Sequence, residues 1–272
     1  MNILDEILAF KAKEVAARRE SFPIKQLEKS MFFGRDTFSM SEHIQRSDKW
    51  GIIAEIKRQS PSKGVINAKV SVQRTSVGYE KAGASALSIL TDSNFFGGSN
   101  EDLSVARKLN LCPILRKDFT IDEYQIIEAK SIGADAILLI AAALAPDVIH
   151  SFVSLAHSLS LEVLLEVHNE KELKENVSSG ADLMGVNNRN LKTFELNVDT
   201  SRKLASLIPK NMLRISESGI ESVKTIMDLK QYGYKGFLMG QNFMQHTEPE
   251  VACREFIDEL KVENSKFEKR IV

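Results

Sequence analysis

Short apolar runs rich in branched residues alternate along this chain with amphipathic stretches. Eight such runs occur, at 51–57, 86–90, 113–117, 136–140, 162–167, 183–187, 213–217 and 236–240. They recur roughly every 20 to 35 residues, the span of one βα unit. The stretches between them read as helices. Segments 71–82, 121–132 and 171–179 each run to a glycine followed by an alanine, at Gly83, Gly133 and Gly180. Glycine there ends a helix in the left-handed conformation before the chain re-enters a sheet. Asp122 with Gln125 reads as a capping box, and Glu248-Pro249 opens the last helix. Helix–strand alternation of this kind predicts an α/β fold with a parallel, helix-covered sheet. Eight units without a break predict a closed (β/α)8 TIM barrel, one domain spanning residues 1–272. Residues 1–46 precede the first unit as an N-terminal helical extension. Ile3, Ile7, Leu8, Lys11, Val15 and Arg18 space as an amphipathic helix. It is expected to pack across one end of the barrel, either as a plug or as a cover over substrate.

Charge narrows the partners. The chain carries 36 basic and 37 acidic residues, a formal net charge of -1. That balance predicts neither a nucleic-acid surface nor a membrane patch. No apolar stretch reaches about 18 residues, so no membrane-spanning helix is expected. The opening residues include Asp5 and Glu6 where a secretory leader would be positive. A cytoplasmic protein acting on a small molecule is expected, as a monomer or weak homodimer. Cys112 and Cys253 lack metal-ligand spacing and read as buried thiols of a reducing compartment.

In a parallel barrel the chemistry collects at the carboxyl ends of the strands. Side chains alternate along a strand, so Glu55 and Lys57 share one face while Ala54 and Ile56 take the other. The apolar pair suits the helix-covered side, which points Glu55 and Lys57 into the barrel mouth, as a functional pair or an internal salt bridge. Lys117 shares parity with Leu115 and also points inward. Glu166, Asn187 and Glu217 end three further strands. Two lysines, three glutamates and an asparagine thus meet at one mouth, where crowded charges are expected to shift pKa values toward neutrality. Ser218-Gly219 and Gly240-Gln241 follow the last two strands, the places where barrels often seat a phosphate on backbone N–H groups. The five histidines show no paired spacing and read as surface or loop residues. No dinucleotide, Walker or nucleophile-elbow motif occurs, and no metal site or cofactor is expected.

One resemblance gathers these residues. The stretch Ile53-Ala54-Glu55-Ile56-Lys57-Arg58-Gln59-Ser60-Pro61-Ser62-Lys63-Gly64 resembles the strand-one signature of the indole-3-glycerol phosphate synthase family. Leu115-Arg116-Lys117-Asp118-Phe119, Glu166-Val167-His168, Gly185-Val186-Asn187-Asn188-Arg189-Asn190-Leu191 and Ser216-Glu217-Ser218-Gly219-Ile220 resemble its other motifs. The resemblance implies ring closure, decarboxylation and dehydration of an anthranilate-derived ribulose phosphate, without cofactor or metal. It implies Lys117 as general acid on the ketone, Glu166 and Lys57 in dehydration, and Glu55 orienting both lysines, without settling which lysine donates at which step. It places Ser60, Asn187 and Arg189 on the anthranilate part, with Phe96, Phe119 and Glu217 also lining the substrate. Ser218, Gly219, Gly240 and Gln241, with Lys57, would hold the phosphate. Gln241 stands where many members have serine or glutamate, and Ser216 where alanine is frequent. A phosphoribosylanthranilate isomerase would need a cysteine and an aspartate at the acid–base positions. A Schiff-base lyase or aldolase through Lys57 or Lys117 is a second alternative, and a non-catalytic binding protein a third.

Overall fold

The computed structural model describes residues 2–271, and side chains for residues 2–266. Eight parallel strands close into a barrel: β1 (Ile52–Ile56), β2 (Ala86–Leu90), β3 (Ile114–Lys117), β4 (Ala136–Ile140), β5 (Glu162–Val167), β6 (Leu183–Asn187), β7 (Leu213–Glu217) and β8 (Tyr234–Met239). β8 pairs with β1, and every neighbouring pair is parallel. All eight apolar runs are therefore strands. The last starts earlier than its run, because Tyr234 turns outward and donates its hydroxyl to the Ser201 carbonyl at 2.7 Å.

The strand parity sorts the core into two layers. Ala54, Ile56, Leu87, Ile89, Val163 and Leu165 face the helices, against Tyr79, Leu103, Ile126 and Ile226. Ile53, Leu115, Leu138, Leu164, Leu183, Ile215 and Leu238 fill the barrel interior. Burying a large aliphatic side chain is worth about 1.5–3 kcal/mol, so a one-residue slip in any strand would turn both layers inside out.

Among the described residues, twelve helices surround or cap the strands. The N-terminal extension gives α1 (Ile3–Ser21), α2 (Ile24–Leu27) and α3 (Met40–Gln45), and the helices after β1 to β4 are α4 (Val72–Ala82), α5 (Asn100–Leu109), α6 (Glu123–Ile132) and α7 (Pro146–Ser158). The remainder are α8 (Glu170–Asn176), α9 (Asp199–Ala205), α10 (Val223–Gln231), α11 (Gln241–Met244) and α12 (Pro249–Ile271). α4 and α6 end at Gly83 and Gly133 in the left-handed conformation. α8 stops three residues short of the expected 171–179 segment. There the Asn176 amide donates to the Glu172 carbonyl at 2.9 Å and satisfies a terminal acceptor in place of another turn. Asp122 caps α6, but Gln125 takes the Ile121 backbone N–H instead of closing the box, its amide being bonded to the Phe119 carbonyl.

The extension reaches both ends of the barrel. α3 closes the amino end, with Met40 and Ile44 in the interior layer and Ser39 and Ser41 bonded to Glu162 at the start of β5. α1 lies over the opposite mouth, where Leu4 and Ile7 join the same layer. Lys11, on the apolar stripe of α1, is 1% exposed and meets Asp92 at 2.8 Å and Asp118 at 2.9 Å. These aspartates follow β2 and β3, so a buried ion cluster fastens the helix to the mouth. Both cysteines are free and buried, and burial pushes each thiol up to about 12.

Candidate active site

A cavity of about 450 Å³ opens at the carboxyl ends of the strands. Every residue selected from the sequence lines it: Glu55, Lys57, Ser60, Phe96, Lys117, Phe119, Glu166, Asn187, Arg189, Glu217, Ser218, Gly219, Gly240 and Gln241. β1 brings Glu55 into the mouth, and Lys57 follows two residues on, past the strand end. β3, β6 and β7 each end on one of the other polar groups, and Glu166 is the last residue but one of β5. The apolar lip was not foreseen residue by residue. Ile3, Leu4 and Ile7 of α1 and Leu191, Phe194 and Leu196 of the loop after β6 form it. α1 is therefore a wall of the cavity, the position that a cover over substrate would take.

The charges are layered. Glu55, Glu166 and Glu217 are each 2% exposed and form the floor. Lys57 Nζ meets Glu55 Oε1 at 2.7 Å, so this pair is an internal salt bridge that also faces the cavity. The second Glu55 oxygen accepts from Ser88 Oγ at 3.2 Å, across the β1–β2 register. Lys117 Nζ lies 3.1 Å from Glu166 Oε2 and 3.6 Å from Glu217 Oε2. Charges this deep are tolerated only in mutual compensation.

The expected drift toward neutrality fails for most of the cluster. Burial opposes charge on Lys117, but Glu166, Glu217 and Glu55 together outweigh it and raise its pKa above the ordinary lysine range. Burial would likewise raise Glu166, but Lys117, His168 and Asn187 hold it well below the usual carboxylate range. Glu55 is lowered for a similar reason: Lys57 and Lys117 outweigh its burial. Opposite charges in contact stabilise one another's ionised forms, so the paired groups move apart. Glu217 alone shifts toward neutrality. Burial and the charges of Glu166 and Glu55 push it up to about 8 against the pull of Lys117.

His168 lies in the loop after β5, as read from the sequence, but not at the surface. This ring is half-buried beside Glu166, its Nε2 3.2 Å from Glu166 Oε1. Glu166-x-His168 places both side chains on one strand face, the signal that could have found it. Lys11 carried a signal too, as a lysine on an otherwise apolar helical stripe.

Beside the charges lie the two turns after β7 and β8. Ser218 and Gly219 are both left-handed, with φ of 66° and 73°. Gly240 precedes α11, and a Cβ there would fall 2.6 Å from Glu55 Oε1. Gly240→Ala is expected to displace Glu55 from Lys57 and to lower kcat/KM by about 10²-fold, as misplacements near 1 Å do. Steady-state kinetics with a circular dichroism control would measure it; a value within twofold of the parent would disprove the crowding. Phe96 and Phe119 pack at 5.9 Å between ring centroids, tilted by 39°, and supply an apolar wall.

Fold and site together define a (β/α)8-barrel enzyme with an acid–base cluster at its carboxyl mouth. The family model for indole-3-glycerol phosphate synthase matches residues 4–256. An indole-3-glycerol phosphate synthase of Bacteroides thetaiotaomicron is 44% identical, over 96% of this chain and 99% of its own. One from Caldanaerobacter subterraneus subsp. tengcongensis is 40% identical over 95% and 99%. Among solved structures, thiamine phosphate pyrophosphorylase from Pyrococcus furiosus shares the fold, with TM-score 0.58 and 15% identity over 79% of this chain and 96% of its own. The chain belongs to the indole-3-glycerol phosphate synthase family. The isomerase alternative lacks its cysteine: Cys112 sits at the amino end of β3, buried and remote from the strand carboxyl ends.

Proposed function

We propose that this cavity converts 1-(2-carboxyphenylamino)-1-deoxyribulose 5-phosphate to indole-3-glycerol phosphate by acid–base catalysis, the step of tryptophan biosynthesis that its family performs. The observation that carries the reading is the buried cluster of Lys117 with Glu166 and Glu217, set beside two left-handed turn residues. Attack of the aromatic carbon on the ketone builds negative charge on oxygen. The Lys117 ammonium faces the cavity from its floor, and it stabilises and protonates that oxygen. Carbon dioxide then leaves and the ring regains its electrons. Loss of water needs a base to take a proton and an acid to protonate the departing hydroxyl. Glu166, kept ionised, is the base, and Lys57 at the cavity surface is the acid.

The remaining residues hold the substrate. Phe96, Phe119 and the α1 lip cover the aromatic ring, and Arg189, Asn187 and Ser60 face its carboxylate side. Arg189 is oriented from within its loop, its guanidinium donating to the Phe194 carbonyl at 3.2 Å and its backbone N–H to Asn187 Oδ1 at 3.0 Å. Ser218, Gly219, Gly240 and Gln241 offer the phosphate seat, with Lys57 as its counter-charge. Gripping both ends of a flexible molecule removes much of the entropic barrier to ring closure.

The direct test follows indole fluorescence after the anthranilate ribulose phosphate is added to purified protein; no rise in fluorescence would refute the assignment. Ser218→Asp probes the phosphate seat. Aspartate tolerates the left-handed backbone, so the barrel should survive. A carboxylate about 6 Å from a phosphate is repelled by ~3 kcal/mol at an effective dielectric near 20. KM is expected to rise at least tenfold, and an unchanged KM would move the phosphate elsewhere.

A further inference from the structure

Glu166 and Glu217 flank the same ammonium from similar distances, and both are buried to 2% exposure. Two such carboxylates do not both hold full charge cheaply beside one cation, so one of them keeps a proton. Something must decide which. The asymmetry lies behind Glu166, on the side away from Lys117. Its Oε1 lies 3.2 Å from His168 Nε2, a charge contact and not a hydrogen bond, since the ring nitrogen is not aligned on the carboxylate. The other ring nitrogen, Nδ1, lies 3.1 Å from Glu172 Oε2, and that oxygen also accepts the His168 backbone N–H at 2.7 Å. Glu217 has no equivalent: its Oε1 is buried without a hydrogen-bond partner among the described residues.

We infer that the His168–Glu172 pair assigns the base, its positive ring holding Glu166 as the ionised carboxylate and leaving Glu217 as the protonated one. The inference rests on the role of Glu166 as a base given above. His168 acts through Glu166 and is a positioning residue. It does not line the substrate cavity; with Glu172 it lines a second cavity of about 640 Å³, which adjoins the first at Leu4, Asn187 and Leu191. Burial would lower the imidazole, but Glu166 and Glu172 outweigh it and raise it to about 10, so the ring is a cation throughout the neutral range. The other charged groups along that second cavity do not compete for it. Asp5 of α1 is tied to the Asn2 backbone in its capping box, and Lys192 and Glu195 belong to the exposed loop after β6. On the Glu166 side the facing groups are Lys117, Glu217 and the Asn187 amide.

The sign of the effect follows. Removing a cation beside a carboxylate raises its pKa. A base that must be ionised then loses its proton later as pH rises, and the acid limb of the kcat profile moves up. His168→Gln keeps a polar side chain at this position and loses the charge beside Glu166. The limb is expected to move up by about one pH unit or more, the shift typical of a contacting charge. KM should stay within twofold of the parent, because His168 does not line the substrate cavity. Glu172→Gln, at a partly exposed position, should move the limb in the same direction by less, and it guards against a His168 variant that fails to fold. Both profiles are to be read on protein with parental circular dichroism. An acid limb left in place in both variants overturns the inference, whatever kcat itself does. Glu166→Gln separates the two levels: if it turns over normally, the base assignment fails and this proposal with it. If it is inactive while the limbs stay put, only the His168 role fails.

Discussion

Lys117→Met is expected to lose at least 10³-fold in kcat while retaining its barrel. A positioned general acid contributes about 10²–10⁴-fold, and this ammonium also carries the developing oxyanion charge. No neighbour takes its place between Glu166 and Glu217: Lys57 lies on Glu55 at 2.7 Å and is assigned to the phosphate and the dehydration, and Arg189 is held on the loop after β6. Loss of the cation leaves three carboxylates, Glu55, Glu166 and Glu217, on one buried floor. The barrel tolerates this by protonation, because Glu217 already sits near 8 and is the first to stay neutral. Glu166 then rises as well, having lost its main opposing charge, so the residual activity should carry an acid limb displaced to higher pH. Lys117→Arg keeps the charge but brings a planar fork to a site built for a compact ammonium. It should restore the limb's position more than the rate. Single-turnover kinetics against pH, with thermal melts of each variant, measure all of this. A Lys117→Met rate within tenfold of the parent would assign the ketone to another acid. Trapping with borohydride adds a separate control. A covalent adduct on Lys117 or Lys57 would revive the Schiff-base lyase or aldolase, since ring closure requires no imine to the protein.

The acid–base pair was readable because its determinants are local. A strand alternates with period two, so Glu55 and Lys57 are assigned to the interior by the apolar character of Ala54 and Ile56 alone. Lys117 follows from Leu115 in the same way. The barrel rule then brings five strand ends together without any knowledge of distances. What stayed hidden depends on pairs far apart in the chain. Lys11 meets Asp92 and Asp118 only after α1 has folded over the mouth. Crowding at a mouth says which groups interact but not the sign of each shift. That sign depends on whether the nearest neighbour is of opposite charge, as for Lys117 and Glu166, or of like charge, as for Glu217. His168 lay between these cases: its spacing from Glu166 was visible, while its second partner, Glu172, comes from the helix that follows.

Lys11→Met is expected to loosen the cover of the cavity and to destabilise the protein together. The ammonium is 1% exposed and is shared among Asp92, Asp118 and Glu14, at 2.8, 2.9 and 2.9 Å. Its carboxylate partners have other bonds, but not enough to replace it. Asp118 keeps Thr91 Oγ1, the Phe119 backbone N–H and Arg116 at 3.5 Å. Asp92 keeps the backbone N–H groups of Phe95 and Phe96 on one oxygen, while the other faces Lys11 alone. Deleting one member of such a buried cluster costs about 3–5 kcal/mol. For a domain of this size, at ~2–4 °C per kcal/mol, the melting temperature should fall by about 10 °C. The chain has one inexpensive way to relieve the strain, which is to lift α1 and let water reach the aspartates. Ile3, Leu4 and Ile7 would leave with it, opening the apolar side of the cavity. KM should then rise by about tenfold, roughly 1.4 kcal/mol of lost substrate contact, with kcat less affected because Lys117 and Glu166 stay on their strands. Neutralising the partners in the triple variant Lys11→Met/Asp92→Asn/Asp118→Asn should recover much of the melting temperature, since the isolated charges are what cost most. Proteolysis of the first 20 residues, compared with the parent, reports the lifting directly. A Lys11→Met protein with parental melting temperature, protease resistance and KM would show that α1 is held by its apolar contacts, and that the ion cluster beneath it adds nothing to the closure of the site.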